Sequence, residues 1–360
     1  MDYFFAQIEE RENPQFKGKP VVVGADPTPE QVRYGAGPKG EKMMRATGRG
    51  VVSTANYEAR KYGVHSAMPI SQAWRLCPDA IFLPVNFELY EEVSEKIMQI
   101  IKKYSPLFEQ VSLDEAFLDI SFLIDSTSSL QESFQKAKKF AEKLKEKIFQ
   151  KEKLTSTTGI GPNKLIAKMA TNKAKPNGLL VITPNRVKNF LEPLDIEELP
   201  GIGPKTAEKL RAIGIHKIKS LKKLLKTELQ NFFGKTGIAM YEKARGIDEN
   251  SVNPEEIIKS IGKEHTFEKD TRDPQVIFSI FDKILNEVYQ ELLENKFNFR
   301  TITVICRWQG FETHTKSKTF PETTNNFEIL KKEAKKLLLK FLLEKPKLIR
   351  LIGLRVSSLR

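Results

Sequence analysis

The ten residues from Val111 to Ile120 constrain the fold of this chain more than any other stretch. Short apolar segments flank the adjacent acids Asp114 and Glu115, and this pattern predicts a β-hairpin with two carboxylates at its tip. Neighbouring side chains of a regular strand point to opposite faces, so both acids can meet one site only where the strand turns or ends. Two such carboxylates repel one another unless a divalent cation neutralises them, and Mg²⁺ prefers oxygen ligands of this kind. The same pair also occurs in ordinary turns, so other segments must decide between the two interpretations.

The charge of the chain indicates a polyanionic partner. The 360 residues have a formal net charge of +13. Basic residues outnumber acidic ones by 20 to 13 over 258–360 and by 13 to 9 over 183–249. Because neither a low-complexity tract nor an isolated basic tail carries this charge, nucleic acid is the leading candidate.

Cysteine and histidine usage argues against a disulfide scaffold or a zinc site. Only two cysteines occur, Cys77 and Cys306, and the histidines show no ligand spacing. No apolar run approaches the roughly 20 residues needed to cross a bilayer, and the first residues carry acids where a signal peptide carries positive charge. We therefore expect a cytoplasmic protein that contacts no membrane.

Strand and helix patterns alternate through the first half of the chain and predict an antiparallel α+β sheet of the split βαβ kind. The polar stretch Asp26–Arg49 is interpreted as a surface excursion of unknown role. Strands are predicted at 19–24, 50–55 and 154–160, and helices at 56–62, 70–76, 89–104 and 130–151.

The composition and the predicted secondary structure change at two boundaries in the second half of the chain. Residues 183–249 read as short basic helices broken by glycines, and 250–257 as a polar linker. Residues 258–360 then predict a second small α+β domain. Its strands are expected at 301–308, 313–320 and 348–357, and its helices at 274–293 and 326–343.

The segment Leu199–Ala207 has the signature of a helix-hairpin-helix motif. Gly201 and Gly203 allow a tight turn whose backbone amides face outward at a helix N-terminus, and Lys205 adds a positive charge. Such amides bind a DNA phosphate without reading the base sequence. A weaker second copy occupies 233–239. A purely structural turn is the alternative interpretation of this motif.

Three further residues could bind a triphosphate. Tyr57 and Arg60 are three residues apart on a predicted helix and would share one face. Lys175 lies in the stiff turn Ala174–Gly178. In isolation, a solvated basic face is the better interpretation of this helix segment. The loop Gly159–Lys164 lacks the ending of a P-loop and the third glycine of a dinucleotide fold, which excludes both motifs.

Taken together, these segments resemble the Y-family translesion DNA polymerases of the bacterial polymerase IV and archaeal type. The resemblance covers nearly the whole chain, and the helix-hairpin-helix follows in the family's usual order. It rests on five ordered motifs, at 2–7, 54–61, 111–119, 159–164 and 175–178.

The resemblance implies a multidomain right-hand polymerase of the α+β class. Palm would comprise 1–9 and 84–182, fingers 10–83, thumb 183–249, linker 250–257 and little finger 258–360. It also implies low-fidelity lesion bypass in DNA repair, with primer-template DNA and dNTPs as partners, two Mg²⁺ ions as cofactors and a monomeric enzyme.

The resemblance also implies roles for individual residues. Asp114 and Glu115 match catalytic metal-binding carboxylates, and Phe5 matches the steric gate that excludes a ribose 2′-hydroxyl. Tyr57, Arg60 and Lys175 match triphosphate contacts.

The sequence departs from the family pattern at its start. The family begins with an apolar strand carrying a first metal-binding Asp two residues before the position of Asp2, and this chain has no such position. We expect the palm sheet to lack a central element, and we hypothesise an upstream segment that supplies it. Asp2 is a poor substitute, because the family already has an acid there. The clamp-binding peptide of many relatives is not seen after Arg360, which leaves sliding-clamp binding open.

Two alternatives to an active polymerase follow from these features. A chain lacking the first metal-binding Asp could be a catalytically impaired protein that binds primer-template DNA. A helix-hairpin-helix glycosylase would need an acid shortly beyond the hairpin, and no Asp or Glu occurs between Lys209 and Thr227. The glycosylase is therefore the weaker alternative.

Overall fold

The computed structural model describes residues 1–25, 49–124, 129–254, 258–344 and 346–360. The chain forms two compact units, Met1–Glu255 and Glu256–Arg360, and the boundary between them falls within the predicted linker 250–257. Of the predicted surface excursion Asp26–Arg49, all residues except Arg49 lie outside the described residues. Within the described ranges, no helix has the length and apolar character needed to span a membrane.

The first unit alternates strands and helices, as predicted. Its strands are β1 Val21–Ala25, β2 Thr54–Ala55, β3 Ile81–Pro84, β4 Leu107–Ser112, β5 Glu115–Asp119, β6 Thr158–Ile160 and β7 Leu179–Val181. Its first helices are α1 Phe4–Glu12, α2 Tyr57–Arg60, α3 Ile70–Leu76, α4 Phe87–Lys102, α5 Leu130–Glu152 and α6 Lys164–Ala174.

The prediction of one sheet in this unit was wrong in detail. Among the described residues, β1 pairs antiparallel with β2 and parallel with β3, whereas β4–β5 and β6–β7 form separate two-stranded sheets. Residues of both β5 and β6 line one cleft, and the two strands are not hydrogen-bonded to each other. The strand predicted at 154–160 is also shorter, because the backbone of Thr155 is hydrogen-bonded to the Gln7 side chain instead of a neighbouring strand.

Amphipathic helices supply the core of the first unit. Helix α5 begins at a capping box in which Ser129 and Glu132 satisfy each other's backbone amides. Its apolar stripe, with Leu144 and Ile148, packs in one cluster with α1, α4 and the β1–β3 pair. This packing places α1 and the β4–β5 hairpin in the same core.

The basic segment after residue 183 is helical, as its composition predicted. Its helices are α7 Val187–Leu191, α8 Pro204–Ala212, α9 Ile218–Leu221, α10 Lys226–Phe233 and α11 Lys235–Ala244. Their buried residues form one cluster with α6, in which Ile196, Leu210 and Leu221 are fully buried. This cluster fixes the helix-hairpin-helix turn to the rest of the unit.

The second unit is an antiparallel sheet in the order β10-β9-β11-β8, packed with two helices around one core. The elements are β8 Ser260–Thr271, α12 Pro274–Glu294, β9 Phe299–Trp308, β10 Thr313–Thr324, α13 Phe327–Glu344 and β11 Ile349–Ser357. Strand β8 was not predicted from the sequence. It is an edge strand in which only Ile261 and Phe267 are buried, so its sequence lacks the apolar alternation of a half-buried strand.

Both cysteines of the chain are free and buried. Cys77 is 2% exposed and Cys306 is fully buried in β9. Burial raises the pKa of the Cys77 thiol, and burial raises that of Cys306 to about 12. Neither thiol is therefore positioned to form a thiolate near neutral pH.

Candidate active site

The acidic pair lies at the end of a hairpin, as predicted. Strands β4 and β5 pair antiparallel from Leu107–Asp119 to Ser112–Glu115, and Leu113 and Asp114 form the turn. The Ser112 hydroxyl donates to Asp114 Oδ1 at 2.9 Å, and the Ser94 hydroxyl donates to the Leu113 carbonyl at 2.5 Å. Because the turn is held from both sides, both carboxylates stay at the same end of the hairpin.

Cationic groups contact both carboxylates. The amino group of Met1 donates to the Asp114 carbonyl at 2.6 Å and lies 3.7 Å from its carboxylate, while Lys168 Nζ contacts Glu115 Oε2. Burial lowers the pKa of the Met1 amine, and the charge of Asp114 opposes this effect. The carboxylates are about one-third exposed, at 37% and 30%. Positively charged groups therefore lie beside both acids at the tip of the hairpin.

The donor set suits a hard divalent cation. Asp114 and Glu115 offer carboxylate oxygens at a partly exposed turn, which is the ligand chemistry that Mg²⁺ accepts together with water and phosphate oxygens. Within the part of the chain that the structure describes, no group of three or more His, Cys, Asp or Glu side chains could hold a metal ion. Asp114 and Glu115 thus form a pair that no third ligand of these types joins among the described residues.

Asp2 does not join this pair. It is fully buried, its Oδ1 accepts from the Thr157 hydroxyl at 2.6 Å, and its Oδ2 accepts from the Asn177 amide at 2.8 Å. Both oxygens are thus engaged away from the hairpin tip. This agrees with the expectation that Asp2 is a poor substitute for the family's first metal-binding Asp.

Phe5 lies on α1 with its ring fixed by aromatic neighbours. The ring stacks on Tyr90, with centroids 4.2 Å apart and planes 13° apart, and it makes a T-shaped contact with Phe87, with centroids 6.3 Å apart. Tyr90 is fully buried and its hydroxyl donates to Glu9 at 2.6 Å, so burial and this hydrogen bond raise the pKa of Tyr90. The half-buried Phe5 ring therefore packs against a side chain that is itself held in place.

Tyr57 and Arg60 share one face of α2, as their spacing predicted. The Arg60 guanidinium lies 5.1 Å from the centroid of the Tyr57 ring, and its Nε donates to the Ala55 carbonyl at 2.9 Å. The Tyr57 hydroxyl is buried and has no hydrogen-bond partner among the described residues. Burial raises the pKa of Tyr57, so the hydroxyl is a neutral donor. A ligand oxygen would satisfy it.

Lys175 lines the same cleft as Asp114 and Glu115, so the structure brings the predicted turn lysine and the acidic pair together. Its side chain is exposed and follows the C-terminal end of α6. The floor of the cleft is apolar and comes largely from α5. Apolar lining residues include Ile101, Phe140, Ala141, Leu144 and Ile148.

The helix-hairpin-helix residues occupy the predicted turn before α8. Gly203 is the N-cap of this helix, and no side chain caps it. Gly201 has a φ of +100°, a left-handed conformation that favours glycine, and Lys205 is exposed in the first turn. Lys243 donates to the Pro200 carbonyl at 3.0 Å and ties this turn to α11. The weaker second copy also opens a helix, since Gly234 precedes α11.

Sequence reasoning missed three polar residues around the site: Gln7, Lys145 and Tyr90. Gln7 joins α1 to Thr155, Lys145 joins α5 to the Asn177 turn, and Tyr90 supports Phe5. Only the tertiary contacts, more than 30 residues apart in sequence, identify their partners.

Comparisons with known proteins agree with this geometry. Residues 1–172 match the impB/mucB/samB family, 258–360 match its C-terminal domain, and 197–248 match the thumb domain of DNA polymerase-iota. Relatives include DNA polymerase IV 2 of Methanosarcina mazei, 40% identical over all of this chain and 91% of its own length. DNA polymerase IV of Methanoculleus marisnigri is 42% identical over all of this chain and 92% of its own.

Solved structures give the same result. A Y-family DNA polymerase chimera, Dbh-Dpo4(243-245)-Dbh, aligns with a TM-score of 0.85 at 35% identity, over 99% of this chain and 96% of its own. A structure titled as an insertion ternary complex of Dbh DNA polymerase aligns with a TM-score of 0.61 over the same shares, also at 35% identity.

These matches define the class of protein as a DNA-directed DNA polymerase, and they confirm the predicted multidomain α+β right-hand fold. The chain belongs to the impB/mucB/samB family, the Y-family DNA polymerases. The match of 197–248 to a polymerase thumb assigns the helix-hairpin-helix to that domain and leaves the glycosylase alternative without support.

Proposed function

We propose that this chain extends a DNA primer on a template with dNTPs by metal-dependent nucleotidyl transfer, at low fidelity and past lesions. The observation that carries the proposal is the cleft in which the Asp114–Glu115 pair and Lys175 meet. The carboxylates suit the metal ion that accompanies a nucleotide phosphate, and the lysine suits the rest of the polyphosphate chain. The proposal places this activity in the cytoplasm, in a monomer with palm, fingers, thumb and little finger at the boundaries given above.

Asp114 and Glu115 are the residues that would hold Mg²⁺. Two bound Mg²⁺ ions would activate the primer 3′-hydroxyl and neutralise charge on the transferring and leaving phosphates. The hairpin contributes fixed geometry, because Ser112 and Ser94 hold the turn before substrate arrives. Lys168, which contacts Glu115 and lines the same cleft, would add positive charge at this end of the cleft.

The triphosphate would be held by Tyr57, Arg60 and Lys175. The buried Tyr57 hydroxyl offers a donor without a partner among the described residues, and the exposed Arg60 guanidinium offers a fork of donors beside it. Phe5 would lie against the sugar, where its fixed ring leaves no room for a 2′-hydroxyl. Together these residues would orient the α-phosphate toward the primer terminus.

Single-nucleotide primer extension with Mg²⁺ tests the proposal. We expect incorporation of the template-complementary dNTP, more frequent misincorporation than by a proofreading polymerase, and extension opposite a damaged template base. A chain that binds primer-template DNA but incorporates no nucleotide would replace the proposal with its alternative, a catalytically impaired binding protein. The observation that favours this alternative is that Lys168 already contacts Glu115 and that no third acid joins the pair among the described residues.

DNA binding by the helix-hairpin-helix turn gives a separate prediction. Replacing Lys205 by alanine should weaken primer-template binding and reduce the slope of log K against log salt by about 0.9, the value for one phosphate contact. The measurement is fluorescence anisotropy at several salt concentrations. Lys209→Ala is the matched control, because it removes the same charge from an exposed position later in α8. Equal slope changes in both variants would contradict a local phosphate contact at the turn.

A further inference from the structure

The turn after Lys175 is held from two sides at Asn177. The backbone amide of Asn177 donates to Asp2 Oδ2 at 2.8 Å. On the other side, Lys145 Nζ donates to the backbone carbonyl of Asn177 at 3.1 Å and to that of Gly178 at 3.2 Å. Asp2 comes from the start of the chain and Lys145 from the middle of α5, so two distant segments determine the position of one short turn.

The same two side chains also hold the segment that precedes β6. Asp2 Oδ1 accepts from the Thr157 hydroxyl at 2.6 Å, and Lys145 Nζ donates to the Ser156 carbonyl. Asp2 is fully buried, and burial lowers the pKa of Lys145 while the charge of Asp2 opposes this effect. Burial of such charges is costly without good partners, and here each charge has several.

The backbone of the turn has little freedom to adopt another conformation. Asn177 lies in the left-handed region with a φ of 48°. A Cβ at Gly178 would lie 2.0 Å from the Ala174 carbonyl oxygen, so this position accepts only glycine. Lys175 stands at the start of this turn, and its exposed side chain reaches the cleft that contains Asp114 and Glu115. The anchored atoms are therefore two residues from the cationic side chain.

We propose that Asp2 is a positioning residue for Lys175. By accepting a hydrogen bond from the Asn177 backbone amide, Asp2 fixes the turn so that the lysine faces the triphosphate of the incoming nucleotide. This inference rests on the proposed function, because it assumes that Lys175 binds that triphosphate. Asp2 itself touches no phosphate, since both of its oxygens are engaged by Thr157 and Asn177. Its effect on the nucleotide must pass through Lys175, and this makes the proposal testable.

The experiment measures equilibrium binding of a dNTP to the complex of the full chain with a dideoxy-terminated primer and its template, so no chemistry is needed. We expect Lys175→Ala to weaken dNTP binding about tenfold, as for loss of a charge-assisted contact. Asp2→Ala should produce a similar loss. In a Lys175→Ala background, Asp2→Ala should add little, because both act through the same contact. Asp2→Asn keeps an acceptor oxygen and should restore most of the affinity.

Ile97→Val is the control for a purely structural effect. Ile97 lies on α4, is fully buried in the core cluster of the first unit and does not line the cleft. The substitution should lower the melting temperature without changing dNTP affinity, because it removes one buried methyl group. Equal weakening by Ile97→Val and Asp2→Ala, or additive losses in the Asp2→Ala, Lys175→Ala double variant, would overturn the inference.

The two levels of the proposal fail in different ways. If Lys175→Ala binds dNTP normally, the triphosphate role of Lys175 is wrong and the inference about Asp2 is overturned with it. If Lys175→Ala weakens binding but Asp2→Ala does not, the proposed function stands and only the positioning role of Asp2 is lost. If Asp2→Ala does not fold, Asp2→Ser replaces it, because serine has no second acceptor oxygen for the Asn177 backbone amide. Unchanged dNTP affinity in a folded Asp2→Ser chain would overturn the inference.

Discussion

Replacing Asp114 by asparagine will reduce single-nucleotide primer extension about a thousandfold, which corresponds to about 4 kcal/mol of lost transition-state stabilisation. Asparagine is nearly isosteric with aspartate and can still accept the Ser112 hydroxyl, so the hairpin turn should keep its shape. It lacks the negative charge that a divalent cation requires. Glu115→Gln should behave in the same way, because Glu115 is the other carboxylate at the hairpin tip.

Primer-template affinity must be measured beside extension, because it distinguishes loss of catalysis from misfolding of the hairpin. Affinity should stay within about twofold of the unmodified chain, because the metal site contributes to chemistry more than to binding of the DNA backbone. Asp119→Asn is the matched control, since Asp119 ends the same hairpin and caps the Ser121 amide at 2.8 Å. Loss of DNA binding together with extension would show that the hairpin had misfolded. Unchanged extension in Asp114→Asn would remove the pair from the catalytic role.

The second large effect is expected at Phe5. Phe5→Ala should raise the relative efficiency of ribonucleotide over deoxyribonucleotide incorporation about a hundredfold, or about 2.8 kcal/mol in discrimination. The physical reason is the stacking of the Phe5 ring on Tyr90. Tyr90 is fully buried, is hydrogen-bonded to Glu9 and stacks on Phe5, so the ring cannot retreat from an added hydroxyl. Removing the ring opens that space.

Single-turnover incorporation of each nucleotide type provides the discrimination ratio. Phe87→Ala is the control, because Phe87 contacts the edge of Phe5 from α4 and is 58% exposed. It removes an equal aromatic ring without opening the face of Phe5 and should change the ratio much less. If Phe5→Ala and Phe87→Ala alter sugar selectivity equally, or neither alters it, Phe5 does not act as the gate.

Local patterns predicted much of this fold correctly. The alternation around Asp114–Glu115 is a property of a single hairpin, and the structure has that hairpin. Helix α3 begins and ends at the predicted residues, because Pro69 and Pro78 flank it in the sequence. The turn before α8 was likewise predictable, since glycines and a proline define it within a few residues.

Features that depend on distant contacts were not predictable in this way. Among the described residues, the short strands β6 and β7 pair only with each other, and no local pattern tells a two-stranded pair from part of a larger sheet. No local pattern identifies the partners of Asp2, which are Thr157 and Asn177. Lys145 reads as one of many lysines on a long helix, and only its contacts with the Asn177 turn distinguish it.

The two buried thiols make this chain convenient for site-specific labelling. Cys77 lies in the first unit and Cys306 in the second, and both side chains are shielded from reagents that attack thiolates. A cysteine introduced at an exposed position of either unit should therefore react much faster with a maleimide dye than the native pair. One such dye on each unit would allow energy-transfer measurements of their separation during a catalytic cycle, without first removing the natural cysteines.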